Sequence, residues 1–509
     1  METESTPPAA AQPRRWRLRF SLRTLVFVVP VLALFLSWIG NEAGRYRRDH
    51  AAADALWSKT GALVDSSGGT WNGPPVRPGE LIRGRLYSPY SRLDIGFHPY
   101  AALEKEDWEA AGKLLDLHSL QIYQYDGPSD GKTFEHLPRL TQLQLHESRL
   151  TENDLRQIGE LEHLLWLTCF NAFPVSVAAT GPRPFNDPRK LPSLTLAPNS
   201  WQQLETLQLG GVRLSPETLQ TIAGLSRLRY LSLETCDFDP RSLDALGKLP
   251  ELEALQVAPT GIWANLSWPG EQPDNIDERT LGSWGRLPKL RTLDIREVQL
   301  QDFGGAGENL TNRWSQLFEL RLTDADLSPA AMREIAAMPA LKVLILTGEL
   351  PDPQAIAELG RSQSLYHLCF HGEGVDLAAI DQIAKIPTLE ALELTGKQID
   401  DDVLRRVAQI KQLTTLGLYD TQATDAGFDA WKNHPSLQVV HIRRSKSFTY
   451  RSLEILAKIP TFSFQESVID VPGFNPLIDE ELQAVEHRGG DALQHLQRKG
   501  LVPADPPQQ

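Results

Sequence analysis

Cysteine is nearly absent from this chain, an excess of basic charge is missing, and no motif of a known catalytic class occurs. Only Cys169, Cys236 and Cys369 are present, far apart and in no paired spacing. That pattern excludes a disulfide framework and gives no sign of a zinc site. No cysteine lies near the N-terminus to carry a lipid anchor. The formal charge is −14, and residues 1–40 hold five arginines against Glu2 and Glu4, so the rest carries −17. Phosphate recognition needs clustered Lys and Arg, so an acidic body disfavours a nucleic-acid partner. G-x-S-x-G, G-x-x-x-x-G-K, H-E-x-x-H and C-x-x-C are all missing, and with them the usual nucleophile, phosphate and metal signatures. Gly304, Gly305 and Gly307 lack a surrounding dinucleotide fingerprint. The expectation is a non-enzyme without a cofactor. At 41% hydrophobic and 23% charged residues, most of the chain should nonetheless fold.

Long apolar runs are equally scarce, with one exception. From Thr24 to Gly40 nothing is charged, and Leu25–Ile39 is apolar apart from Ser37. Seventeen residues, at ~1.5 Å rise each, lie at the short end of a bilayer span. Pro30 is tolerated in a membrane helix, and Trp16 and Trp38 sit where amphipathic rings prefer the interface. A cleaved signal peptide would need small residues after the core, where SWIGNEAG stands instead. The segment 22–40 therefore reads as a transmembrane helix. Arg14, Arg15, Arg17, Arg19 and Arg23 outweigh Arg45, Arg47 and Arg48, which places the N-terminus in the cytoplasm and the body outside. Residues 1–21 read as a disordered basic tail, 41–113 as a juxtamembrane region and cap, and 463–502 as a C-terminal cap before a loose 503–509.

Between the caps, an internal period dominates. Leucines recur at 140, 164, 204, 228, 252, 290, 317, 341, 365, 389, 413 and 437, mostly in steps of 24. The steps of 40, 38 and 27 read as insertions into an intact register, the long ones at 171–199 and 259–286. Each leucine opens L-x-x-L-x-L or an apolar variant, as in Leu204/Leu207/Leu209 and Leu413/Leu416/Leu418, with an earlier copy at Leu117/Leu120/Ile122. The alternation is that of a strand with one buried face. Six or seven residues later comes a helix start. Ser215-Pro216, Asp239-Pro240, Ser328-Pro329 and Asp352-Pro353 place a capping side chain before proline, and Thr151, Asp376, Asp400 and Thr424 stand in equivalent places. A single unit cannot bury its leucines, but a stack of about thirteen over 114–462 can.

These residues resemble the leucine-rich-repeat family in its 24-residue form. The resemblance implies an α/β solenoid with a parallel concave sheet and helices on the convex side. The N-terminal SLRTL entering an apolar run is similar to membrane-anchored repeat proteins of planctomycete bacteria. The family's usual Asn or Cys after the strand is matched by Cys236 alone, with Ser148, Thr421 and Ser445 as substitutes. Members of the family mostly bind proteins or other macromolecules on the concave sheet, which implies such a partner here.

The strand positions between the leucines spell out that surface. Its central column runs Gln144, Thr168, Gln208, Ser232, Gln256, Asp294, Arg321, Ile345, Cys369, Glu393, Gly417 and His441. Asp294 and Arg321 are expected to pair across strands ~4.8 Å apart. Trp166, Phe170 and Tyr230 are candidate aromatic anchors, although Trp166 and Phe170 have the alternative of packing under the insertion that follows. Tyr419 and His441 complete the candidate set. His367, Cys369 and His371 share one face with Glu393 alongside. His367 and His371 are ~13 Å apart along the strand, too far to share one ion, although two of the three still can. Solvated polar side chains without a metal are expected. Competing readings are a cytoplasm-facing adaptor of the ubiquitin-ligase-repeat type and an enzyme whose site lies in residues 45–112.

Overall fold

The computed structural model describes residues 105–123, 133–170, 200–259, 276–300, 313–465 and 494–501 with short gaps, plus a few isolated strands. The leucine spacing produces one sheet. Its strands are β1 (Leu63–Asp65), β2 (Arg92–Ile95), β3 (Ser119–Tyr123), β4 (Gln142–His146) and β5 (Trp166–Phe170). They continue as β6 (Thr206–Gly210), β7 (Tyr230–Phe238), β8 (Ala254–Pro259), β9 (Thr292–Arg296), β10 (Glu319–Thr323) and β11 (Val343–Thr347). The series ends with β12 (His367–His371), β13 (Ala391–Thr395), β14 (Thr415–Tyr419), β15 (Val439–Arg443) and β16 (Thr461–Gln465). From β2 onward every neighbouring pair is parallel, and only β1 joins antiparallel. The α/β solenoid is thus present, with a strand β2 before the first leucine repeat and a strand β16 after the last.

Register follows the leucines, with one irregularity on β7, where it shifts between Glu234 and Cys236 against β8. Trp166 pairs with Thr206 across the longest step, and Ala254 pairs with Thr292 across the next. Both long segments are therefore insertions into the connections between these strands, and the first adds a short strand, Ser193–Leu194, paired with Arg213–Leu214. The second and fourth residues of a strand turn inward: Leu320 and Leu322, Leu344 and Leu346, Leu392 and Leu394 are all buried. Each such side chain is stabilised by about 1.5–3 kcal/mol on leaving water. On strands such as β11 and β15 the outward residues remain half-exposed, giving the alternating pattern of a one-sided sheet, whereas the central outward residues Thr168, Ser232 and Cys369 are buried.

On the opposite side the eight expected caps all form. Thr151, Ser215, Ser328, Asp376 and Asp400 accept from backbone N–H groups of the following first turn. Asp239, Asp352 and Thr424 do the same. Asp239, however, heads a 3-10 helix over Pro240–Lys248 where an α-helix was expected. The proline and the capping carboxylate specify where a helix starts, and not its pitch. Cys236 lies within the long β7, just past its register shift, with Sγ 3.5 Å from the carbonyl of Leu209, and Ser148 Oγ donates to the carbonyl of His146 at 2.9 Å. Thr421 and Ser445 hydroxyls meet across one repeat at 3.3 Å.

One repeated feature escaped the sequence reading. The residue after many strands is left-handed: Glu147, Gly211, Asp324, Gly348, Gly396, Asp420 and Arg444 all have positive φ, as does Thr235 at the irregularity within β7. Five of these carry a side chain, which costs roughly 1–2 kcal/mol per residue against a right-handed conformation, so composition alone does not reveal the turn. The insertion tryptophan Trp284 is buried, and its Nε1 donates to the carbonyl of Leu243 at 3.1 Å. Trp263 and Trp268 lie outside the described residues. So does the segment 22–40 apart from Ala33 and Ser37. Among the described residues no helix is long and apolar enough to cross a membrane.

Candidate functional site

The open face of the sheet carries the columns expected of it. Gln144 opposes Thr168, Gln256 opposes Asp294, Cys369 opposes Glu393, and Gly417 opposes His441. Three groupings stand out along this face, and each follows from what adjacent strands place side by side.

At the N-terminal end the rings of Tyr123 and His146 stack with centroids 4.7 Å apart, and His146 stacks on Phe170 at 6.0 Å. Tyr123 and His146 were not among the expected residues; their column position, one strand apart in a row with Phe170, was the available signal. The row stops at Gly210, because a Cβ there would lie 2.3 Å from Phe170 Cδ1. Burial, ahead of the opposing Glu147 charge, lowers the His146 pKa from its usual value, which favours the neutral form of this stacked ring. Trp166 donates to Thr168 Oγ1 at 2.9 Å, which donates in turn to Gln208 Oε1 at 2.9 Å. Tyr230 donates to Gln256 Oε1 at 3.1 Å. Trp166, Phe170 and Tyr230 are all half-buried on the outward face, held by their neighbours on the sheet.

In the middle of the sheet the expected Asp294–Arg321 pair is replaced. The two residues do oppose each other, but Arg321 Nε binds Glu319 of its own strand at 2.5 Å. Asp294 is left with Arg296 at 4.0 Å, and its Oδ1 is buried without a hydrogen-bond partner. A long guanidinium side chain reaches a carboxylate two residues along as easily as one across, and strand spacing alone does not choose between them. Burial raises the Asp294 pKa, against the opposing pull of Arg296 and Arg321. A carboxyl with a raised folded-state pKa contributes stability when protonated, and loses it as pH rises through that pKa. Asp294→Asn is therefore expected to raise Tm at neutral pH. The advantage should shrink as pH falls into the acid range, a comparison that thermal melts at two pH values make directly.

Toward the C-terminal end, β12, β13 and β14 bring together four expected residues and one more. Glu393 Oε1 lies 3.1 Å from His367 Nε2, and its Oε2 lies 3.7 Å from His371 Nε2. Tyr419 donates to the same carboxylate. Cys369 Sγ lies 3.1 Å from His367 Nε2. His371 is steadied by Thr395 Oγ1 at 3.0 Å and by the edge of the Tyr419 ring at 5.6 Å. Gly417 leaves room for this convergence, since a Cβ there would meet Glu393 Cγ at 2.8 Å and Tyr419 Cε2 at 2.9 Å. The His367 hydrogen bond, ahead of the opposing effect of burial, holds the Glu393 carboxyl below its ordinary pKa. Burial, and then the Glu393 charge, push the Cys369 thiol and the Tyr419 hydroxyl upward. His441 stands apart, bound to Ser463 Oγ at 2.5 Å.

This cluster does not form a nucleophile relay. A Cys–His–carboxylate relay needs the thiol on one ring nitrogen and the carboxylate on the other, whereas both contacts here fall on His367 Nε2. A thiol pushed upward in pKa is also the wrong kind of nucleophile.

No protein-family model and no curated protein matches this sequence. Among solved structures, an internalin from Listeria monocytogenes is similar at 15% identity and a TM-score of 0.39, covering 66% of this chain and 88% of its own. The TLR13 chain of a TLR13–ssRNA13 complex is similar at 18% identity and a TM-score of 0.42, covering 73% of this chain and 55% of its own. A chain of the mouse RP105/MD-1 complex is similar at 16% identity and a TM-score of 0.39, covering 72% of this chain and 53% of its own. The present chain thus spans about half the length of the latter two. At such scores the fold assignment rests on strand register and leucine burial.

Proposed function

We propose that this chain is a leucine-rich-repeat binding module that recognises a protein or other macromolecular surface through the concave face of its sheet. The observation that carries this reading is the division of labour along the strands. Leucines are spent on the core, and the other face is a succession of aligned outward positions from β3 to β15. Stacked rings at one end and a hydrogen-bonded polar cluster at the other give that face chemically distinct contact regions. Rigid aromatic anchors flanked by polar groups suit macromolecular recognition. The charge of −17 on the body argues against nucleic acid. We further propose that segment 22–40 anchors the chain in the cell membrane with its N-terminus cytoplasmic and the solenoid outside, as in the planctomycete proteins its N-terminus resembles.

Photo-crosslinking residues placed singly in the full chain test the binding face. Replacement of Gln208 or Gln256 is expected to yield an adduct of one defined mass in the native host, and replacement of Glu334 on the helical side none. Adducts from Glu334 but not from the sheet would overturn the reading. Protease treatment of intact cells tests the topology, with digestion before lysis expected. Protection that persists after outer layers are stripped would favour the cytoplasm-facing adaptor.

A further inference from the structure

The structure assigns a zinc-class divalent metal site to His367, Cys369 and Glu393 on the open face of the sheet. The proposal stands on the donor atoms and does not depend on the identity of any macromolecular partner. It departs from the expectation of no metal, which counted backbone rise between His367 and His371.

Three donors of three kinds converge here: an imidazole nitrogen, a sulfur and a carboxylate oxygen, all within 4.8 Å of one another. Zinc bonds of ~2.0–2.3 Å in a tetrahedron set donor–donor separations of roughly 3.3–3.8 Å. The sulfur–nitrogen and nitrogen–oxygen separations are both 3.1 Å, so small side-chain rotations suffice to admit an ion. The convergence of both contacts on Nε2, which fails as a proton relay, is what ligands around a common centre produce. A neutral histidine, a thiolate and a carboxylate balance the charge of a divalent ion. Sulfur and imidazole favour zinc and its neighbours over magnesium or calcium.

The surroundings support the same assignment. Glu393 uses Oε1 toward His367 while Oε2 faces His371, and Tyr419 also binds this carboxylate. Such outer contacts orient a ligating carboxylate. Cys369 is buried, whereas His367 and Glu393 are half-exposed, so a fourth position opens outward for water or for a donor atom from a bound partner.

Metal-free full-length chain titrated with Co²⁺ tests this. One equivalent is expected to bind with a sulfur-to-cobalt charge-transfer band, Zn²⁺ should displace it, and either ion should raise Tm. Cys369→Ser should abolish the band, and Glu393→Gln or His367→Gln should weaken binding at least tenfold. His441→Gln, on the same face outside the cluster, should leave it unchanged. Circular dichroism reports folding of each variant. If Cys369→Ser does not fold, Glu393→Gln carries the test, because its position is half-exposed and its shape conserved. Absence of the band in folded wild-type chain overturns the assignment. So does a band that survives Cys369→Ser, or binding indifferent to both Glu393→Gln and His367→Gln.

Discussion

Asp401→Ala is expected to destabilise the solenoid by about 3 kcal/mol, while Asp402→Ala beside it changes stability by less than about 0.5 kcal/mol. The two aspartates share a helix start, Asp401–Val407, and differ in what they face. Asp402 points to solvent and pairs with Arg405 at 2.9 Å, an exposed pair of small value. Asp401 reaches across to the next repeat, accepting from Thr424 N at 2.6 Å, Thr424 Oγ1 at 2.8 Å and Gly427 N at 3.1 Å. One carboxylate thus satisfies two backbone donors of the neighbouring helix start and clamps its capping residue. Hydrogen bonds to a charged acceptor contribute about 1.5–3 kcal/mol, and loss of the partner of Thr424 N adds to the cost, whereas Gly427 N keeps the Thr424 carbonyl at 3.1 Å. Asp425 repeats the arrangement one unit later, accepting from the backbone and hydroxyl groups of Thr449 and Ser452. Urea denaturation of the two variants is the measurement. Equal effects would mean that the inter-repeat bonds contribute nothing beyond an ordinary helix start.

Leu320→Ala is expected to cost about 3–4 kcal/mol and, more tellingly, to divide the unfolding transition. Leu320 is fully buried between Leu293 and Leu344, its register partners on β9 and β11. In a stack each unit is held chiefly by its two neighbours, so a cavity in the middle weakens both interfaces and little else. Hydrogen exchange should accelerate first in β9, β10 and β11, with β14 and β15 still protected. A uniform acceleration along the whole sheet would show that the array unfolds as one unit. Arg321→Ala next to it faces outward and serves as control.

What could be read from residues alone was whatever repeats along a line. The leucine positions specified every pairing from β3 to β15, because inward side chains at period two and a fixed rise leave one register that buries them all. The caps from Thr151 to Thr424 were legible for a similar reason, since a capping side chain acts within three residues of itself. The central column of the face followed from the same arithmetic. Strand β16 was obscured because Phe462 replaces leucine and the step shortens, and the left-handed turns because their residues are so varied.

Tertiary structure decided what depends on side-chain direction between units. Asp401 and Asp402 are equivalent in sequence, and only the packing of successive helices separates a clamp from a solvated charge. Arg321 chose Glu319 over Asp294 because a flexible side chain has several carboxylates within reach. His367, Cys369 and Glu393 meet because a long imidazole leans along its strand toward a carboxylate on the next. Backbone spacing sets where side chains begin, whereas the chemistry of the face depends on where they end.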